Sequence, residues 1–146
     1  MKISAKSQYG LRAMVYLAGC QKKICPLKLI SEKEGISFDY LEKIVSKLEK
    51  AGLIKAKKGV QGGYSLSKKP SKIKAGEVIR ALEGEINLVK CLTTVSSKKS
   101  GRRVIRSTKY VCPLEKRCLA RNFWKKFQKS MNYVLDSITL ADLIGK

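Results

Sequence analysis

Two short amphipathic segments joined by a glycine-containing turn constrain the fold of the first fifty residues most strongly. In the second segment apolar residues recur at helical spacing, at Leu41, Ile44, Val45 and Leu48, which places them on one face of a helix. Gly35 is positioned to end the preceding short helix, whose inward residues are Leu27 and Ile30, and Ser37 is positioned to cap the next. Two helices connected in this way predict a helix-turn-helix.

The segments on either side of this pair complete a head of about 84 residues. A helix is expected from about Ser7 to Gly19, with an apolar stripe at Leu11, Met14, Val15 and Ala18. Residues 53–56 and 64–66 flank the basic, glycine-rich segment 57–63, a pattern typical of a β-hairpin. One further short helix is predicted between Ala75 and Gly84. Residues 1–84 are therefore predicted to form a winged helix-turn-helix.

The remainder of the chain divides into a loop and a helix. Residues 85–120 show weak periodicity, so we expect an ordered loop only where further contacts or a ligand hold it in place. Disorder is expected over Ser96 to Arg106. From Asn122 to Leu143, apolar residues alternate spacings of three and four, at Trp124, Phe127, Met131, Val134 and Ile138. This seam is typical of paired helices and predicts a dimer interface within residues 121–146; packing back onto the chain's own head is the alternative.

The predicted fold class is thus mainly α, with a small β-hairpin wing and a long C-terminal dimerisation helix. Lys and Arg total 32 against 11 Asp and Glu, a formal charge of +21, which favours double-stranded DNA as partner. High-temperature adaptation, in which Lys and Glu rise together, accounts for this poorly because Glu does not keep pace. No apolar stretch reaches membrane-span length, and charges lie too deep at the start for a signal peptide, so we expect a cytoplasmic protein without a membrane partner.

The chain contains no histidine. This removes the most common general base and the usual catalytic triads, so an enzyme is not expected. In a winged helix-turn-helix the second helix enters the major groove and its N-terminal side chains reach base edges. The predicted DNA contacts are the base readers Ser37, Phe38, Asp39, Tyr40 and Glu42, the phosphate contacts Lys43 and Lys47, and the wing residues Lys57, Lys58 and Gln61. For the wing, an ordinary solvated hairpin is the alternative.

Three of the five cysteines, Cys91, Cys112 and Cys118, follow the spacing C-x20-C-x5-C. From Lys98 to Lys129 there are 12 Lys and Arg against one Glu, a positive environment that favours thiolates. Metal binding is therefore predicted, with small buried apolar cysteines as the alternative. Cys20 and Cys25 are expected to be structural.

Four stretches carry a family resemblance: MKISAKSQYGLRAMVYLA, YLEKIVSKLEKAGLI, GVQGGYSLSKKP and VLDSITLADL. Together they resemble the Rrf2 family of winged-helix regulators, the IscR, NsrR and CymR type. The resemblance implies a homodimer that is joined by the long helix, binds a near-palindromic operator, and usually represses but sometimes activates.

The resemblance also implies an iron-sulfur cluster, 2Fe-2S or 4Fe-4S, held by Cys91, Cys112 and Cys118 and able to sense redox state, nitric oxide or cluster supply. Two features depart from the family pattern. An insertion from Thr93 to Val111 lengthens the first gap, and Arg121 and Gln8 occupy the positions of the family's fourth ligands, where neither is a good iron ligand. The alternatives are a cluster-free regulator using thiols or a protein partner, a metal-dependent enzyme, and a non-specific nucleic-acid-coating protein.

Overall fold

Three helices with their apolar faces turned towards each other form the centre of the N-terminal region. In the computed structural model, which describes residues 3–20, 24–92 and 112–144, helix α1 spans Ala5–Gly19, α2 spans Leu27–Glu34 and α3 spans Phe38–Lys50. Gly35 ends α2 in the left-handed conformation, with φ of 62°, which a glycine adopts without steric cost. The predicted helix-turn-helix is confirmed.

The burial of α3 follows the predicted stripe, since Leu41, Ile44, Val45 and Leu48 are all buried. All four residues of the apolar stripe predicted for α1 pack in or against the core, as expected, but only Met14 among them is fully buried, so the inward face is centred on a different side of the helix. Its buried residues are Ser7, Gly10, Ala13, Met14 and Leu17, whereas Leu11, Val15 and Ala18 are only half-buried. Small residues face inward because α1 approaches α4 closely: a Cβ built on Gly10 would lie 2.2 Å from Cδ1 of Leu82.

The predicted wing is present as two antiparallel strands. Strand β1 spans Ile54–Lys57 and β2 spans Gly63–Leu66, with Ile54 opposite Leu66 and Lys57 opposite Gly63. Cys25 adds one isolated bridge to β2: its N–H donates to the Tyr64 carbonyl at 2.9 Å, and its carbonyl accepts from the Tyr64 N–H at 2.8 Å. The segment before α2 therefore pairs with the outer edge of β2, near the turn end of the hairpin.

Helix α4, Ala75–Glu83, closes the head and buries Val78, Ile79 and Leu82, as predicted. Residues 1–85 form one compact unit together with residues 132–146, and residues 86–131 form a second. The second unit contains a 3₁₀ turn, Lys90–Leu92. There Gln128 holds residues 86–88, because its amide accepts from the Leu88 N–H at 2.9 Å and donates to the Ile86 carbonyl at 2.7 Å.

The single helix predicted from Asn122 to Leu143 is wrong in its C-terminal part. Helix α5 spans Arg121–Ser137, and a separate short helix α6 spans Leu140–Leu143. Between them the backbone bonds to residues of the α4 region: the Ile138 carbonyl accepts from the Ala75 N–H at 2.8 Å, and the Leu140 N–H donates to the Ile73 carbonyl at 2.9 Å. These bonds replace helical ones, so Ile138, predicted as part of a helical seam, lies beyond the end of α5.

None of the helices in the described ranges is both long and apolar enough to cross a bilayer. The Thr93 to Val111 insertion, and with it the segment from Ser96 to Arg106 for which disorder was expected, lies outside the described residues.

Candidate nucleic-acid interface and cysteine segment

The face of α3 opposite its buried stripe carries the predicted base readers and phosphate contacts. Ser37, Phe38, Asp39, Tyr40, Glu42, Lys43 and Lys47 are all exposed. The first turn presents two aromatic rings, with Phe38 46% and Tyr40 36% exposed. Ser37 occupies the N-cap position, but its hydroxyl makes no capping bond to the described part of the chain. The expected side-chain cap is therefore wrong, and this hydroxyl is free to contact a base or phosphate.

Tyr40 is held from the side by α1. Its ring meets the ring of Tyr9 edge to face, with centroids 5.9 Å apart and planes at 88°. Pairs in this geometry stabilise each other beyond the area they bury. No local sequence pattern marks Tyr9 for this contact, because the two residues are distant along the chain.

Arg12 links α1 to the end of α2, next to the turn of the motif. Its Nε lies 3.0 Å from a carboxylate oxygen of Glu34, and its guanidinium donates to the Glu34 backbone carbonyl at 2.6 Å. The guanidinium carbon also lies 5.8 Å from the centre of the Tyr9 ring. Helix α1 therefore contacts both the first turn of α3, through Tyr9, and the end of α2, through Arg12. These contacts support the turn from which the predicted base-reading residues extend.

Lys47 has an acidic neighbour within its own chain. Its charge contributes to lowering the pKa of Glu83 at the end of α4, after the larger contributions of the Ser4 and Ser7 hydroxyls. The side chain of Lys47 is nonetheless exposed, so it can reach a phosphate while Glu83 stays bonded to the two serines.

Glycines determine the conformation of the wing tip, and two lysines give it a positive charge. The Gly62 N–H donates to the Gly59 carbonyl at 2.9 Å, and a Cβ on Gly62 would lie 2.5 Å from the Lys57 carbonyl oxygen. Lys57, Lys58 and Gln61 are exposed at this turn. In α3, by contrast, three acidic residues balance three lysines. The wing tip therefore has the larger excess of positive charge, while α3 combines lysines with carboxylates, which are groups that can accept hydrogen bonds from cytosine amino groups.

The two cysteines nearest the head are in different environments. Cys25 is 1% exposed and belongs to the core, with its backbone paired to β2, whereas Cys20 is half-buried against that core. Both positions agree with the structural role expected of them.

Cys91, Cys112 and Cys118 all lie in the unit of residues 86–131 and are half-buried. Across residues 3–20, 24–92 and 112–144, no three Cys, Asp or Glu side chains are gathered closely enough to hold a metal ion. The structure thus brings the three cysteines into one unit without assembling them into a ligand set, and their role as ligands stays a prediction.

Arg121 occupies the position of the family's fourth ligand, but its side chain is paired with a carboxylate. Its guanidinium forms an ion pair with Glu115, while its backbone N–H donates to the Cys118 carbonyl at 3.3 Å. Its Nε is buried and has no hydrogen-bond partner among the described residues. A cation here can donate to a thiolate or another acceptor but cannot ligate iron.

Helix α5 carries an apolar face that the described part of the chain leaves partly exposed. No residue of the helix is buried, and Phe127 and Val134 are 45% and 53% exposed. Trp124 and Met131 are half-buried. Phe123, which was not among the predicted seam residues, stacks on Phe127 with centroids 6.0 Å apart. The helical spacing of these residues puts them on one side of α5.

Residues 3–146 match the family model Rrf2, described as an iron-dependent transcriptional regulator. The chain belongs to the Rrf2 family. Its winged-helix architecture agrees with that assignment. As an Rrf2-family protein it is a helix-turn-helix transcriptional regulator, and not an enzyme.

Individual Rrf2-family relatives cover nearly the whole chain. The transcriptional regulator IscR of Aliivibrio salmonicida is 36% identical over 145 residues, 99% of this chain and 77% of that protein. The regulator CymR of Bacillus subtilis is 37% identical over 144 residues, 98% of this chain and 89% of that protein. The solved structure of B. subtilis CymR, described as a global cysteine regulator, has a TM-score of 0.73 and 36% identity, covering 98% and 95% of the two chains.

Proposed function

We propose that this protein is a cytoplasmic, homodimeric regulator that reads an operator in double-stranded DNA with α3 and the tip of the β1–β2 hairpin. The observation that carries the proposal is the division of α3 into two faces. Its apolar stripe is buried in the head, while every predicted base reader and phosphate contact lies on the exposed side. A helix presented in this way fits the major groove.

Within this proposal Tyr40 reads bases and Lys47 contacts phosphate. The operator is obtained by selecting tight binders from random-sequence duplex DNA, and its affinity is then compared with that of random duplexes at several salt concentrations. Tyr40→Ala should lower operator affinity about tenfold and leave random DNA nearly unchanged, as expected for the loss of one base contact. Lys47→Ala should weaken both DNAs alike and reduce the salt slope by about one unit.

Tyr40→Ala also removes the partner of the Tyr9 ring, so Tyr9→Leu is the matched control for lost packing. If Tyr40→Ala weakened both DNAs equally, Tyr40 would not read bases. A protein that bound random and selected DNA with the same affinity would contradict sequence-specific recognition altogether.

For dimerisation we propose that a second copy covers the apolar face of α5. This face consists of five aromatic or aliphatic side chains that the described residues leave exposed or half-buried: Phe123, Trp124, Phe127, Met131 and Val134. Burial of such a face is the usual reason for helices to pair, and two-fold pairing is the most common arrangement.

For sensing we propose that Cys91, Cys112 and Cys118 bind an iron-sulfur cluster whose presence changes operator affinity. Three thiols in a basic segment fit iron in donor type. They would supply three of the four ligands that such a cluster takes. Cluster binding would have to draw them together, because the described residues bring no three ligands together and Arg121 is paired with Glu115. The description of the family as iron-dependent and the relatives named IscR support the cluster, while the relatives named CymR favour thiol chemistry or a protein partner as the alternative.

Iron and sulfide content of anaerobically purified protein separates these two mechanisms. A cluster predicts a coloured protein containing both elements, with iron lost in Cys112→Ser and Cys118→Ser and kept in Cys20→Ser, since no spare thiol lies in that unit. Full iron in Cys91→Ser would remove Cys91 from the ligand set. A colourless, iron-free wild-type protein would favour the cluster-free regulator without affecting the DNA-binding proposal.

A further inference from the structure

The last turn of α5 is joined to α4 by a bidentate ion pair between Arg80 and Asp136. Nη1 of Arg80 lies 2.6 Å from Oδ1 of Asp136, and Nη2 lies 3.1 Å from Oδ2. Nη2 also lies 3.4 Å from the amide oxygen of Asn132, one turn earlier in α5. The pair raises the pKa of Arg80 and lowers that of Asp136, in both cases chiefly through their hydrogen bond.

The backbone around this pair is close-packed. A Cβ on Gly76 would lie 2.6 Å from Oδ1 of Asp136 and 3.0 Å from the Leu135 carbonyl oxygen. Only a residue without a side chain allows α4 and α5 to approach this closely. Gly76 therefore permits the short distance that the ion pair then fixes.

The residues that follow α5 in the chain are also bonded to the segment at the start of α4. Lys74 and Thr139 form an isolated antiparallel bridge, and two backbone bonds to Ala75 and Ile73 flank it. Thr139 then caps α6 by accepting from the Asp142 N–H. The end of α5 is thus held by side-chain and backbone contacts within a single compact unit, the one that contains the DNA-reading head.

We propose that Arg80 and Asp136 are positioning residues that set which spacing between operator half-sites the dimer accepts. This inference rests on the proposed homodimer, in which α5 carries the subunit contact and the head carries the DNA contacts. The junction between α4 and the end of α5 then determines how the two heads are separated. In a two-fold dimer, the separation of the reading helices must match the half-site spacing of the DNA.

The length of α5 makes this junction sensitive. The helix has 17 residues, so it extends about 25 Å at the usual rise per residue. A rotation of about 10° at one end would displace the other by about 4 Å, comparable with the rise of about 3.4 Å per base pair. A junction that is free to tilt by this amount would accept neighbouring spacings, whereas a fixed one would reject them.

The test uses duplexes that carry the two half-sites of an operator selected by the wild-type protein, with the spacer unchanged, shortened or lengthened by one and two base pairs. Wild-type protein should lose affinity about tenfold or more for a two-base-pair change, because half-site spacing is a geometric requirement. Asp136→Asn keeps the size of the side chain but removes its charge. In this variant the affinities for all spacers should fall within about threefold of each other, as expected for a freed junction.

Three controls isolate positioning from stability. Affinity for a single half-site and the dimer mass in sedimentation should be unchanged in Asp136→Asn. Glu34→Gln, which breaks the Arg12 ion pair elsewhere in the head, should keep the wild-type spacing preference. Arg80→Lys retains the charge but loses the bidentate contact, so it should also relax the preference for one spacer length. This second variant tests the positioning role if Asp136→Asn does not fold.

The outcomes separate this inference from the proposed function. Wild-type discrimination between spacers that persists in folded, dimeric Asp136→Asn and Arg80→Lys would overturn the positioning role. A wild-type protein without any spacing preference would instead contradict two-headed binding by a homodimer, and with it the basis of the inference. Relaxed spacing with unchanged half-site affinity supports the inference, since a merely structural loss would weaken every duplex.

Discussion

Glu83 joins the start of α1 to the end of α4 through one carboxylate. It accepts hydrogen bonds from the hydroxyls of Ser4 and Ser7, the latter at 2.6 Å, and lies 3.8 Å from Nζ of Lys6. Ser7 is a polar residue that is 1% exposed at the edge of the core, so its hydroxyl depends on this acceptor. Hydrogen bonds to the ionised form lower the pKa of Glu83.

Acidification should therefore destabilise the head through this group. Because the pKa of Glu83 is lower in the folded chain, its contribution is complete above the ordinary glutamate pKa of about 4.3 and is lost as the pH falls through the lowered value. Thermal unfolding followed by circular dichroism at pH 7 and at lower pH should show a smaller acid effect in Glu83→Gln than in wild type. Glu49→Gln, an exposed control, should retain the full acid effect; equal acid sensitivity in Glu83→Gln would contradict this account.

Helix α1 packs on α4 through an inward face of small residues, and the closeness of that contact can be tested with two glycines of the same helix. A methyl group at Gly10 would meet Leu82, which is itself buried, at 2.2 Å. At Gly19 the nearest atom belongs to Ile144, at 3.7 Å, an ordinary contact.

Gly10→Ala should lower the free energy of unfolding by about 1–2 kcal/mol, since overpacking a tight core outweighs the better helix propensity of alanine. Gly19→Ala should change it by less than about 0.5 kcal/mol. Urea titration of both variants measures the difference. A Gly10→Ala protein as stable as wild type would mean that α1 and α4 separate without cost.

The apolar face of α5 determines the assembly expected of the whole molecule. Phe127→Asp places a charge in the centre of this face and should shift the protein from dimer to monomer in sedimentation, because an unpaired charge buried in an interface costs several kcal/mol. Lys129→Gln alters the net charge equally on the opposite side of the helix and should leave the dimer intact. A dimeric Phe127→Asp protein would place the subunit contact elsewhere.

Periodicity determined the local elements without any knowledge of the fold. The stripe of α3, the left-handed turn at Gly35 and the glycine-rich hairpin follow from preferences that act within a few residues. For the same reason the exposed side of α3, and with it the candidate DNA contacts, could be predicted: residues between the apolar positions of an amphipathic helix face solvent. The end of α2 and the strands of the wing are confirmed on these grounds.

Contacts between distant residues decided the rest. The inward face of α1 carries small residues because α4 approaches it, and α5 ends at Ser137 because the backbone of the following residues bonds to Ile73 and Ala75. The Tyr9 contact with Tyr40 and the Arg80 pair with Asp136 join residues far apart in the chain. The local sequence pattern indicates which residues favour a helix or a core. These long-range contacts depend instead on where the folded chain places each helix, which only the tertiary structure decides.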